Sequence, residues 1–507
     1  MKRVFVIPGR YVDSVTLMGL AEKVMKREGV YGAESGMGTS ANITLLAELG
    51  YDVPGGAGRN DLLIAVDAAD EAGLREARRL AMDLLERRGG RQGRTIRDLS
   101  ELKPGEYDLA QISLPGEYAA AEIQKALRLD MDVFVFSDHV SLEEELECKR
   151  LGLERGRLVM GPDAGVGLIG GVALAAGSRV RPGGVGIVAA SGSGAQEVAC
   201  LVERLGGGVS AIIGTGGRDL WPEIGGITMS MGMDRLAGDP GTLVICLVSK
   251  QADKAVTEKM LSEADRLEKP VVAVFLGGGE NLFDGHRVQG AFTLQEAAEK
   301  CAACLGGSPG RLGWTDGESL EAAQRLMARV PSGRRFLRAL YCGGTFAEEA
   351  LILLNRENPA ISLYSNLDTA YARKLDDDRQ SRGHTVLDMG TEAFTAEAPH
   401  PVFDPAQRLR RLAAELRDPE VAAVMLDFIT GPGVHPNPIE PFAPLCAARP
   451  DIVFIAAICG AEADPQDIAA GRAALESAGV VVADSNAQSA KLAAKLMAAL
   501  DGRENHG

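Results

Sequence analysis

Short apolar runs that break into glycine-rich loops recur along the chain, each followed by an apolar stripe at helical spacing. The alternation predicts strands feeding helices, and so an α/β architecture with parallel sheets. The sharpest instance is Gly184-Val185-Gly186-Ile187-Val188-Ala189-Ala190, which breaks into Ser191-Gly192-Ser193-Gly194 and then into the stripe Val198, Leu201, Val202, Leu205. It reads as strand, tight loop and helix start. The first turn of such a helix offers unpaired backbone N–H groups and the positive end of the helix dipole. Glycines let an anion approach the backbone, and serine hydroxyls add donors. The loop is therefore either a phosphate or carboxylate cradle or an ordinary strand-to-helix turn.

The same reading divides the chain into four segments. Residues 1–100 form an N-terminal α/β domain, with a strand near 4–7, the loop Ser35-Gly36-Met37-Gly38-Thr39-Ser40, and a charged amphipathic helix near 71–88. The arginine- and glycine-rich run 87–94 reads as an exposed linker. Residues 104–180 read as a Rossmann-like β–α–β–α–β unit, whose loops 113–117, 137–139 and 161–165 should converge at the carboxyl ends of its strands. Residues 183–310 carry the serine loop and a second glycine loop, Gly214-Thr215-Gly216-Gly217-Arg218-Asp219; residues 306–317 read as a connection. Residues 333–500 repeat the grammar of strand, glycine loop and helix. There the loop is Gly343–Thr345 or Gly431–Gly433. A pseudo-symmetric pair of flavodoxin-like domains presenting helix N-termini is expected.

Composition narrows the field. With 507 residues, the chain has room for several well-buried cores. A net charge of −16 opposes nucleic acid or an anionic membrane as a general partner, so an anionic substrate needs a local device. No stretch approaches the roughly 18 apolar residues of a membrane span, and the first apolar run is too short for a signal peptide; a cytoplasmic location is expected. The eight scattered cysteines are too sparse for a disulfide scaffold. Cys301 and Cys304 have metal or redox spacing but lie in a helical run with no second pair or histidine nearby, and no metal site is expected.

Several motifs carry a resemblance. Residues 109–248 resemble the α subunit of succinyl-CoA synthetase and related NDP-forming acyl-CoA synthetases, through Ser113-Leu114-Pro115-Gly116-Glu117-Tyr118, Met160-Gly161-Pro162-Asp163, the serine loop, and Gly214-Thr215-Gly216-Gly217. Residues 385–498 look like the CoA-ligase domain of the β subunit, through Asp388-Met389-Gly390-Thr391 and Asp427-Phe428-Ile429-Thr430-Gly431-Pro432-Gly433. Order and spacing over nearly the full length resemble the FdrA family, fused α-like and β-like chains. The quoted matches include Asp13-Ser14-Val15-Thr16-Leu17-Met18, Met37-Gly38-Thr39-Ser40-Ala41-Asn42 and Pro399-His400-Pro401. The resemblance implies a CoA-binding-type Rossmann-like domain at 104–180 and two succinyl-CoA synthetase-type domains. It also implies a subunit of oxamate carbamoyltransferase, which interconverts oxamate and carbamoyl phosphate with oxalurate and phosphate. Its partners would be small anionic substrates and other protein subunits.

Three departures shape that expectation. No segment has room for an ATP-grasp domain of roughly 200 residues. The family's phosphate-carrying histidine is missing: its segment here is Ser249-Lys250-Gln251-Ala252-Asp253, where Lys250 could contact phosphate without replacing the relay. The amino-terminal loop that holds the CoA phosphate is not recognisable in residues 1–100, so CoA is the one cofactor the resemblance suggests, without its usual loop. The substrate then arrives already activated. The alternatives are an acid–CoA ligase working with a separate ATP-grasp chain, and a non-catalytic scaffold subunit.

Individual residues follow. Ser191, Gly192, Ser193 and Gly194 would hold phosphate, with Gly216 and Gly217 beside them and Gly431 and Gly433 on the other side. Arg218 either binds a carboxylate or phosphate bidentately or makes a surface ion pair with Asp219 or Glu223. His435 is the candidate for acid–base work. Asp163 either orients a ligand or bonds its own turn. His400 is a ligand contact or a turn cap. His139 reads as a packing residue, and His286, His384 and His506 receive no role.

Overall fold

The computed structural model describes every residue except 11, 13, 28, 88–95, 97, 251, 280, 307–310, 397 and 505–507. Asp13 of the amino-terminal motif, most of the predicted 87–94 linker, the middle of the 306–317 connection, Gln251 and His506 lie outside the described residues. The chain forms two units, Met1–Glu101 and Leu102–Gly507. None of the helices, among the described residues, is long and apolar enough to cross a membrane.

The first unit runs β1 (Lys2–Ile7), α1 (Ser14–Met25), β2 (Val30–Met37), α2 (Ser40–Glu48), β3 (Leu62–Ala68) and α3 (Glu71–Arg87). The strands form an antiparallel sheet in the order β1-β3-β2. The central strand β3 is apolar nearly throughout, and its alternate residues feed two clusters. Leu62, Ile64 and Val66 pack with Leu17, Leu20 and Leu74, while Leu63 and Ala65 pack with Val4 and Leu46. A period of two on a sheet covered on both faces produces this split.

The second unit begins with β4 (Leu109–Ile112), α4 (Gly116–Arg128), β5 (Asp132–Val135), α5 (Leu142–Arg155) and β6 (Val159–Met160), whose strands are parallel. Helix α5 starts with a capping box between Ser141 and Glu144 and stops at Gly156, where φ is 64°; these are sequence-readable start and stop signals. The hairpin β7 (Val166–Ile169) and β8 (Val172–Ala175) comes next. The sequence reading has no strands here. The signal was present as Gly170-Gly171, both at positive φ, the two-residue turn a tight hairpin requires.

Then follow β9 (Pro182–Ala189), α6 (Gly192–Arg204), β10 (Val209–Gly214), α7 (Ile227–Gly238), β11 (Val244–Ser249), α8 (Lys254–Ala264), β12 (Val271–Phe275), β13 (Gln289–Ala291) and α9 (Leu294–Cys304). The seven strands are ordered β13-β12-β11-β9-β10-β7-β8, with the hairpin added antiparallel at the edge of a parallel sheet. After α10 (Asp316–Met327) the plan repeats with β14 (Phe336–Tyr341), α11 (Gly344–Glu357), β15 (Leu363–Ser365), β16 (Arg373–Lys374), β17 (His384–Asp388), α12 (Glu392–Thr395), α13 (Ala406–Glu415), β18 (Val421–Ile429), α14 (Ala443–Ala447), β19 (Val453–Cys459), α15 (Ile468–Ser477), β20 (Val481–Ala483) and α16 (Asn486–Glu504). This second seven-stranded sheet, β16-β15-β17-β14-β18-β19-β20, is parallel throughout. Fully buried parallel strands carry continuous apolar runs, and all nine residues of β18 are buried. The protein is thus a multidomain mixed α/β chain built on parallel sheets. One continuous core joins the two large sheets through α6, α9, α11 and α16, so α6 and α11 are packed together with their N-termini at the same end.

Candidate functional site

A cleft of about 530 Å³ opens where the loops after β9, β10, β14 and β17 meet those after β5 and β6. It is the crevice at the carboxyl ends of parallel strands where α/β folds bind ligands. Its first wall is the serine loop. Ser191 caps α6 by accepting the N–H of Gly194 at 3.0 Å. A Cβ on Gly194 would lie 2.6 Å from the Ser191 hydroxyl, so the cap requires glycine there. The neighbouring loop is fixed by close backbone approach. Gly216, at φ 86°, would place a Cβ 2.4 Å from the Pro162 carbonyl oxygen. Behind it the buried Lys149 donates to the Thr215 carbonyl at 2.9 Å and to Asp219 at 2.7 Å.

The second wall is Gly343-Gly344-Thr345, the start of α11. Ser191 Oγ and Thr345 Oγ1 lie 2.6 Å apart, so the first turns of the two helices face one another. The buried Asp427 accepts the N–H groups of Cys342 at 2.8 Å and Gly343 at 2.9 Å, and pairs with Arg408 at 2.8 Å. A Cβ on Gly344 would lie 2.6 Å from Asp388 Oδ2 and 3.1 Å from Lys250 Nζ. Glycine at that point leaves room for a lysine and a carboxylate beside one helix start.

The charged lining is mixed. Lys250 is half-buried, and its ammonium makes no hydrogen bond or ion pair within 4 Å among the described residues. Asp388 is buried; loss of water raises its pKa, opposed by Lys250. Asp163 is open to the cleft yet enclosed by its walls. Poor solvation first, then repulsion from Asp138, pushes its pKa up to about 6, against Lys250 and Arg218. Its backbone sits at φ 57°, a left-handed conformation that aspartate tolerates better than most residues. Burial pushes His400 down to about 4, so its ring is neutral at neutral pH. Its Nδ1 accepts the N–H of Val402 at 3.2 Å, which assigns the ring proton to Nε2.

The residues named from sequence divide clearly. Ser191, Gly192, Ser193, Gly216, Gly217, Asp163, Lys250 and His400 line the cleft, and Gly194 supports it from behind. Arg218 turns the other way: Nε donates to the buried Glu145 at 2.8 Å and a terminal nitrogen to the Val140 carbonyl at 2.8 Å. Its ion pair is with Glu145 on α5 rather than with Asp219 or Glu223. Gly431 and Gly433 press against the backbone of 175–177, where Cβ atoms would lie 2.7 Å and 2.5 Å from the carbonyl oxygens of Ala176 and Ala175. The Gly431 N–H is spent on Gln466 at 3.0 Å. His435 donates its N–H to the Val402 carbonyl at 3.0 Å, and its ring Nδ1 accepts the N–H of Asn437 at 3.1 Å. None of Arg218, Gly431, Gly433 and His435 is among the lining residues. Gly343–Thr345 forms the facing wall instead. Asp388 and Cys342, given no role from sequence, line it too. Asp388 was visible only as part of the resemblance motif.

The uncharacterized protein YahF of Escherichia coli K12 is 37% identical over 510 residues, covering 97% of this chain and 98% of YahF. The chain belongs to the YahF family. The CoA-ligase domain family matches residues 340–496, and the AllF heavy metal-associated domain family matches residues 1–99. This YahF-family chain is also 25% identical over 187 residues to SauD, an ADP-forming sulfoacetate-CoA ligase subunit of Bilophila wadsworthia, covering 35% of this chain and 61% of SauD. Among solved structures, a dinucleotide-forming acetyl-coenzyme A synthetase of Candidatus Korarchaeum cryptofilum aligns over 81% of this chain and 86% of its own at 16% identity, TM-score 0.34. An ATP citrate lyase of Methanothrix soehngenii aligns over 51% and 55% at 14% identity, TM-score 0.35.

The heavy-metal label on residues 1–99 does not fit the side chains there. Residues 1–101 contain neither cysteine nor histidine, the ligands soft transition metals select. In the loop that joins β2 to α2, Thr39 accepts the N–H of Asn42 and Asn42 donates to the Met37 carbonyl at 2.8 Å. Asp61 accepts from Gly9 and Gly58, each at 2.8 Å. The loop's polar groups close on themselves, and no metal-holding cluster of three acidic, histidine or cysteine side chains occurs among the described residues.

Proposed function

We propose that this chain is a transferase subunit that takes an acyl group from an acyl phosphate without using ATP. The observation that carries the reading is the pair of helix starts meeting at Ser191 and Thr345 beside Lys250, which has no hydrogen bond or ion pair among the described residues. Two positive dipole ends and an ammonium suit a phosphate dianion. Lys250 stands in the segment where the succinyl-CoA synthetases that the chain resembles carry their phosphohistidine; a lysine there would contact phosphate without forming a phosphoenzyme relay. The most concrete version is carbamoyl transfer: carbamoyl phosphate plus oxamate giving oxalurate plus phosphate, reversibly. The oxamate amide nitrogen attacks the carbamoyl carbon, the carbon–oxygen bond to phosphate breaks, and one proton leaves the nitrogen. The Asp163 carboxylate takes that proton and passes it to the departing phosphate. Alignment and charge stabilisation supply the rest of the acceleration.

Asp163 works as a base only when deprotonated. With its pKa near 6, turnover is expected to fall as pH drops through 6. A pH–rate profile measures this, and Asp163→Asn should remove both the acid limb and most of the activity. An unchanged acid limb in the variant takes Asp163 out of the reaction.

A second reading has its own support. The CoA-ligase match at 340–496, and the names of SauD and of SqwL from Acholeplasma as ADP-forming sulfoacetate-CoA ligase subunits, favour an acid–CoA ligase completed by a separate ATP-grasp chain. Both readings place this chain in a complex with other protein subunits. The deciding experiment runs two assays on the purified chain, with and without the products of neighbouring genes. One follows phosphate release from carbamoyl phosphate and oxamate. The other follows thioester formation from ATP, a carboxylic acid and CoA. Phosphate release that depends on oxamate supports carbamoyl transfer; thioester formation without it replaces that reading with the ligase.

A further inference from the structure

Two buried carboxylates outside the cleft occupy matching places. Glu197 is the sixth residue of α6, and Glu349 is the sixth of α11. Glu349 accepts the N–H of Leu294 at 2.8 Å, and Leu294 opens α9, which belongs to the half built on the first large sheet. Glu197 accepts the N–H of Asn486 at 3.1 Å, and Asn486 opens α16, which belongs to the half built on the second. Each cleft helix thus caps the first turn of a helix in the opposite half, at the same register. The caps also meet. Asn486 Nδ2 donates to the second oxygen of Glu349 at 2.8 Å and to the Phe346 carbonyl, in the first turn of α11, at 3.1 Å.

First-turn N–H groups have no partner inside their own helix, and a carboxylate there also complements the dipole. Burying two carboxylates is nonetheless costly, and apolar residues of similar volume would often hold such an interface as well or better. What apolar packing lacks is direction. A carboxylate bonded to a helix start fixes the angle and offset between its own helix and the one it caps. The beginnings of α6 and α11 lie one and a half turns from these caps.

We propose that Glu197 and Glu349 are positioning residues: reciprocal caps that hold the two halves so that the Ser191 and Thr345 helix starts face each other, and that thereby set the anion affinity of the cleft. The effect on affinity rests on the anion-binding reading above; the effect on geometry does not.

The test uses the full chain with Glu349→Gln and Glu197→Gln. A glutamine at 349 keeps one acceptor and turns an amide NH₂ toward one of two donors. The change at 197 disturbs a cap whose second donor is the weaker Cys459 thiol and is the milder variant should the first fail to fold. Val424→Ala, a core deletion on the other face of β18, serves as a control of comparable destabilisation. Hydrogen exchange and inorganic phosphate titration are measured on all four proteins. In each Glu variant, exchange protection is expected to fall together at 194–195 and 346–347, the first amides of each helix that have an acceptor, with the phosphate Kd rising at least fivefold. The control should lower Tm and do neither. Glu variants that lose Tm while both helix starts keep their protection overturn the proposal, as does a control that reproduces their pattern. Failure of the unmodified chain to bind phosphate sinks the anion-site reading instead, and the exchange pattern still decides whether the caps position the helix starts.

Discussion

Lys250→Met is expected to raise the dissociation constant for inorganic phosphate by roughly ten- to a hundredfold and to leave the fold intact. The lysine is half-buried in the cleft wall with no hydrogen bond or ion pair among the described residues, so the fold does not depend on its charge. A hydrogen bond to a charged group contributes about 1.5–3 kcal/mol, and each 1.4 kcal/mol is about tenfold in affinity. The helix starts remain in the variant, so binding weakens without vanishing. A second effect follows with a definite sign. Lys250 lowers the pKa of both Asp163 and Asp388. Without it, the Asp163 pKa climbs above about 6, and the acid limb of any activity moves to higher pH. Isothermal titration with phosphate and a pH profile check the two effects separately. An unchanged phosphate constant would move the anion away from Lys250 and, with it, away from the facing helix starts.

Much of the architecture was legible because parallel α/β chains announce themselves locally. Apolar strands such as Val244–Ser249 and Val421–Ile429 are buried on both faces, and helix starts such as Ser191 and Thr293 carry their caps in the sequence. The serine loop and Asp163 were found for the same reason: a strand end followed by a glycine loop sets a residue at the crevice. What the sequence withheld was which of two glycine loops faces the serine loop. Gly343–Thr345 and Gly431–Gly433 obey the same local rule. Only the tertiary arrangement decides between them, because the second is pressed against 175–177 with its first N–H spent on Gln466. Those contact residues belong to the β7–β8 hairpin and its exit, the element missed from sequence. Arg218 illustrates a related limit. Its partner Glu145 lies 73 residues earlier on α5, so no local pattern separates a ligand-binding arginine from this ion pair.

Asp427→Ala is expected to cost about 3–5 kcal/mol of stability, the usual price of breaking a buried ion pair from one side. Arg408 and Asp427 are both buried and pair at 2.8 Å. Removing the carboxylate leaves the Arg408 charge without its counter-ion, although its Nε still donates to the Leu340 carbonyl at 2.9 Å. The carboxylate also accepts the N–H groups of Cys342 and Gly343, and these lose their acceptor inside the protein. The two losses can be separated. If the ion pair were everything, Arg408→Met together with Asp427→Ala would recover most of the stability, because no unpaired charge remains. The loop predicts otherwise: two buried N–H groups stay unsatisfied in the double variant, at about 1–3 kcal/mol each. Asp427→Asn should fall between, keeping one acceptor for two donors. Urea unfolding of the four variants, read as a double-mutant cycle, measures the partition. Phosphate titration then ties it to the site. Since Asp427 holds the residues that begin α11, its variants should lose phosphate affinity, whereas Arg408→Met should lose much less. A double variant as stable as the unmodified chain would confine Asp427 to charge pairing and leave the start of α11 to be held by something else.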